Sequence, residues 1–155
     1  RRLAQSAQPV LTQGPNLNIS LKQTDMDNST IDALFTTAAL QQLFPEERTN
    51  DFFEALFGDA NDGAYDISLG YGGYANGRIR LELRLHERPG CCLACNLTQG
   101  LPQVFSRHPV INVAGLVQAV DQLLGDTARC GDWQLGTTEQ RQKDLHLIPL
   151  NIQVI

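Results

Sequence analysis

Three of the four cysteines in this 155-residue chain fall within five positions, in the stretch from His86 to Cys95 that reads HERPGCCLAC. Cys92 and Cys95 have the CxxC spacing at which two thiolates from one turn hold a tetrahedral metal. A structural zinc would need two further ligands, drawn from Cys130 and one of His86, His108 or His146. The set that best completes the site is Cys92, Cys95, Cys130 and His86, with zinc as its cofactor. The same spacing serves thiol–disulfide redox chemistry, which needs an activated thiolate at a helix start. Leu93-Ala94 carries no helix-start signal, and no βα unit precedes it. A third account is packing, because free cysteine behaves as a small, readily buried hydrophobe. Pro89-Gly90 follows an alternating strand, so residues 91–98 are expected to return as a further strand. A strand would send Cys92 and Cys95 to opposite faces, which opposes joint ligation. The expectation is therefore packing thiols and no cofactor, with zinc or thiol redox as the alternative.

The second group with chemical potential is Arg78, Arg80, Glu82, Arg84 and His86, which alternate with Ile79, Leu81, Leu83 and Leu85. Such a face could grip an anionic ligand or an acidic segment, since Arg suits bidentate contacts to carboxylates. The plainer expectation is the solvent side of an antiparallel strand. Ser106-Arg107-His108-Pro109 lies in a long stretch with two prolines, read as a loop, and His108 could act there as a general base. Residues two apart rarely form a nucleophile–base pair, and no GxSxG elbow is present. The residues expected to contact a ligand or partner are Arg80, Arg84, His86, Arg107 and His108; no catalytic set is expected.

Two other motifs fail on their spacing. The segment from Asp59 to Gly63 begins like a calcium loop, but its glycine is fifth rather than sixth, and Gly70 stands where the bidentate Glu belongs. Gly70-Tyr71-Gly72-Gly73 is not followed by a helix or a GK[ST], so it is no phosphate loop.

These groups need a scaffold, and the sequence describes one. Hydrophobic residues are 42% and charged residues 19%, enough apolar content for an ordinary core. The net charge of −5, with lysines only at 22 and 143, argues against a basic nucleic-acid surface. No apolar run is long enough to span a membrane, and the cysteine density favours a reducing, cytoplasmic setting. The start, RRLAQSAQPVLTQGPN, has no apolar stretch of a signal peptide.

Residues 1–15 read as a flexible N-terminal arm and 16–155 as a single domain. Alternation at Leu17–Leu21 suggests a first strand. Ile31, Leu34, Phe35 and Ala38 give a helix running to Pro45, and Phe52, Phe53, Leu56 and Phe57 the buried stripe of a second. Tyr65–Tyr71 and Ile79–His86 flank Asn76-Gly77, the signal of a type I′ hairpin. Asn112 caps a third helix closed by Gly125, Trp133–Leu135 forms a short strand, and the tail from Leu145 forms the last. The order is β-α-α-β-β-(β)-α-β-β. This is an α+β fold with an antiparallel sheet of four to five strands and three helices on one face. Pro149 favours an edge or strand-start position for the tail strand. An exposed edge and an uncovered sheet face together suggest a homo-oligomer. The functional expectation is a non-enzymatic binding module for a protein segment or small ligand, independent of nucleic acid and membrane.

Overall fold

A computed structural model describes residues 28–97 and 100–155. The expected arm at 1–15 and first strand at 17–21 lie outside these residues. The α+β class and the antiparallel sheet are as expected, and among the described residues the sheet has five strands.

The hairpin is its most regular part. Strand β1 (Tyr65–Ala75) pairs with β2 (Arg78–Glu87) in a register running from Tyr65 opposite Glu87 to Ala75 opposite Arg78. Asn76 and Gly77 both take positive φ, the geometry that lets a two-residue turn match the strand twist. A bulge between Tyr71 and Gly73 absorbs the extra residue of the Gly-rich stretch. Ile79, Leu81, Leu83 and Leu85 share one face and are completely buried.

The helices differ more from expectation. The chain is helical at 28–34 (α1), then breaks before α2 (Thr37–Leu43). Thr36 is extended there, and its hydroxyl accepts the Ala39 N–H at 3.1 Å. A threonine that satisfies a backbone donor locally starts a new helix, so the single helix expected up to Pro45 becomes two. In α3 (Glu47–Phe57), Phe52 and Phe53 are buried, but Leu56 and Phe57 are exposed, contrary to the expected stripe. The buried arc is instead Thr49-Phe52-Phe53. Thr49 Oγ1 donates to the Ile67 carbonyl at 3.2 Å and accepts the Ile67 N–H at 3.1 Å, turning α3 towards the free edge of β1. Residues 91–97 do not form the expected strand, and residue 98 lies outside the described residues. Leu93–Asn96 is a single helical turn, α4, capped by Cys92. The expected loop that follows holds α5 (Leu101–Arg107), with Pro102 in its first turn, where its missing N–H is harmless. Helix α6 (Val113–Leu124) has the Asn112 cap and Gly125 end that its sequence signals.

The remaining strands are β3 (Cys130–Leu135), β4 (Glu139–Gln142) and β5 (Leu145–Val154). Strand β5 is not an edge: it pairs with β2 on one side and with both β3 and β4 on the other. Pro149 is tolerated inside the sheet because it lies where one neighbour hands over to the next. Leu150 faces Leu135 of β3, Leu147 faces Glu139 of β4, and the Pro149 carbonyl accepts the Gly136 N–H at 2.8 Å. The donor that proline lacks would point into this changeover. One buried cluster joins the helices to Ile79–Leu85 and to Ile148, Leu150 and Ile152 on the same face.

Candidate functional site

The face of the sheet away from the helices was expected to be simply solvated, and its centre is buried. Glu82, with its side chain 7% exposed, lies at the hub. Arg84 reaches its carboxylate at 3.0 Å, Arg80 at 3.2 Å and Arg141 at 3.4 Å. Arg80 and Arg141 also bridge to Glu139, at 3.3 and 3.6 Å. Glycine supplies the floor space: a side chain at Gly70 would collide with the Arg84 guanidinium. Burial pushes the Glu82 carboxyl up, but the hydrogen bonds and charges of Arg84 and Arg80 outweigh it and hold it below the usual carboxylate range. Leu147 and Pro149 share this face and are also buried. Long arginine stems can cover apolar neighbours while their heads stay charged, and Arg84 stands directly opposite Leu147 in the sheet.

The five residues expected to contact a ligand are therefore not one site. Arg80 and Arg84 are committed to Glu82. His86 lies further along the same face, with Nε2 2.9 Å from the Ser68 hydroxyl. Arg107 is exposed at the end of α5, on the helical side of the sheet. His108 caps that helix, its Nδ1 accepts the Val110 N–H at 3.1 Å, and its ring meets Phe52 edge-on. A histidine used in this way serves the turn.

Nor are the four metal candidates brought together. Cys92 and Cys95 are joined as a disulfide, so neither sulfur is a thiolate. Here the expected strand is corrected: the helical turn of α4 puts the two Cα atoms 5.4 Å apart, where a strand would separate the side chains. Cys130 begins β3 opposite Val154, whereas α4 follows the end of β2 that pairs with Leu145. A strand rise of about 3.3 Å per residue puts Cys130 on the order of 25–30 Å from α4 along β5. Its N–H is held by Asp121 at 2.8 Å, and burial, with Asp121 adding, pushes its thiol up to about 11. Among the described residues, no three His, Cys, Asp or Glu side chains converge to hold a metal.

What the tertiary structure does assemble is a cavity of about 820 Å³ between α4, the start of α5 and the β3–β4 connection. Ala94, Leu97 and Pro102 supply its apolar wall; Gln103, Thr138 and Gln140 are among its polar groups. Its innermost polar group is His146, which occupies the core register of β5 opposite Leu85 and is 8% exposed. Among the described residues, His146 Nδ1 is buried without a hydrogen-bond partner. In the sequence His146 stood only as one of three possible zinc ligands. The signal that marks it is a polar residue sharing the period-two face of Ile148, Leu150 and Ile152, which is uncommon in a core.

Among the described residues no helix is long and apolar enough to cross a membrane. Comparison with known proteins finds no matching family model, no matching curated protein and no matching solved structure.

Proposed function

We propose that this chain is a non-enzymatic binding module that takes a small, uncharged, hydrogen-bonding ligand in the cavity beside α4. The observation that carries this is His146, more than nine-tenths buried and yet among the residues that line the cavity. An unsatisfied buried polar group costs about 1–3 kcal/mol, so a polar residue kept at this wall calls for a reason. The cavity volume falls in the range typical of small-molecule sites. Among the described residues, its lining contains amides, hydroxyls and an imidazole but no Asp, Glu, Lys or Arg. A charged ligand would be desolvated there without a counter-charge, which disfavours it. This supports the small-ligand half of the sequence expectation over the protein-segment half, because Arg80 and Arg84 are already paired with Glu82.

The test is a ligand-observed NMR screen with a panel of neutral amide and polyol fragments alongside matched carboxylates and amines. Neutral fragments should compete for one site and shift the resonances of Gln103, Gln140 and His146. His146→Leu should lose those shifts while matching or exceeding wild-type stability, by up to about 1 kcal/mol, since it removes an unpaired buried nitrogen. Hits dominated by ions, or a His146→Leu variant that unfolds, would overturn the proposal.

Self-association is proposed through a different element from the one first expected. With β5 interior, β1, β3 and β4 are each bonded on one side among the described strands, and β3 is the edge proposed here. An isologous β3–β3 pairing of two copies would cover that edge. A monomeric mass in sedimentation equilibrium at high micromolar concentration would exclude it.

A further inference from the structure

We infer that the Cys92–Cys95 pair is a reversible thiol–disulfide exchange site that accepts electrons from dithiols. This goes beyond ligand binding and does not depend on it. The first ground is access. Cys92 and Cys95 are both exposed, on a turn at the surface, whereas Cys91 and Cys130 are partly buried. An attacking thiolate can reach either sulfur of the pair without unfolding the domain, and access is one of the factors that govern exchange rates.

The second ground is that the turn does not depend on its disulfide. Leu93 is completely buried in the core, and its N–H is held by Glu87 Oε2 at 2.9 Å. Asn96 Nδ2 donates to the Cys92 carbonyl at 2.6 Å, and the Cys95 N–H points at Cys92 Sγ at 3.2 Å. These contacts keep the two cysteines facing each other when the bond between them opens. A disulfide that only stapled a loop would lose that arrangement on reduction. Here the dithiol stays preorganised and can close again.

The exchange balances as a two-electron transfer. A donor thiolate attacks one sulfur, the S–S bond breaks, and the other cysteine leaves as a thiolate. The donor's second thiol then attacks the mixed disulfide and releases the first cysteine. The donor departs as its own disulfide, and its two electrons and two protons end on Cys92 and Cys95. Ala94 and Leu97 of the same segment line the proposed ligand cavity, whereas Cys92 and Cys95 do not.

The experiment equilibrates the full chain, without denaturant, in buffers of reduced and oxidised dithiothreitol. Acid quench, alkylation and peptide mass spectrometry follow. One reversible transition should add two alkyl groups, both on Cys92 and Cys95, with the far-UV circular dichroism unchanged. The native reduction rate should lie within roughly threefold of that in denaturant, as expected for an accessible disulfide. Cys92→Ser should abolish the transition and Cys130→Ser should leave it intact. Reduction only under denaturing conditions, failure to re-form the bond, or zinc bound to both cysteines in the purified chain would each overturn the inference. None of these outcomes bears on whether neutral fragments occupy the cavity.

Discussion

Glu82 shows how one side chain reverses the meaning of its neighbours. An arginine strand face is a recognition surface only while its charges are free, and three arginines here converge on one buried carboxylate. Removing that carboxylate leaves three like charges crowded together. Glu82→Gln should therefore lower stability at neutral pH by about 1–3 kcal/mol, the partial exposure of the arginines keeping the cost below that of a fully buried pair. The folded-state carboxyl sits below its ordinary value of 4.5, so as pH falls past that value the unfolded chain takes up the proton first. The stabilisation is whole above the ordinary value and disappears as pH falls through the folded one. Urea denaturation across the acid range should show a shallower acid loss for Glu82→Gln than for wild type. Parallel curves would contradict the assignment.

At the scale of elements, the decisive feature is the position of β5. A strand containing proline belongs at an edge unless the missing donor falls where no partner needs it, and the handover from β3 to β4 provides such a place. Gly136 is part of this device, because a Cβ there would come within 2.7 Å of the Pro149 ring. Gly136→Val should force the two strands apart at the changeover and cost about 1–3 kcal/mol, as overpacking usually does. A melting temperature equal to wild type would show that the connection is looser than described. The outer edge of β1 is closed in another way, by the paired bonds between Thr49 and Ile67. A buried threonine in an amphipathic helix carries no sequence mark that distinguishes edge-capping from ordinary packing.

For the whole molecule, the centre of the second sheet face is buried at Glu82, Leu147 and Pro149, with Arg80, Arg84 and Arg141 paired around the Glu82 carboxylate. The core is assembled from helices and strands without using the disulfide, which spans only three residues of separation. A ring that small removes little unfolded-chain entropy, about 2 kcal/mol at most. Reduction should thus shift the urea midpoint modestly and leave a cooperative transition. Collapse of the fold on reduction would show that the Cys92–Cys95 bond is a structural staple.

Much of the scaffold was legible in local pattern. The hairpin from Tyr65 to Glu87, the helix after Asn112 and the strand of the tail follow from period-two alternation, an Asn-Gly turn and a cap. All of these act within a few residues. Local pattern misled where two local preferences competed: Thr36 interrupts a helical period, and Cys92 caps a helical turn where strand alternation was expected. It was silent where distant segments meet. That Glu82 gathers Arg80, Arg84 and Arg141, that Pro149 lies inside the sheet, and that His146 is left unpaired beside a cavity all depend on which strands become neighbours. Long-range pairing made those decisions, because the free energy of a buried polar group depends on partners that chain order does not name.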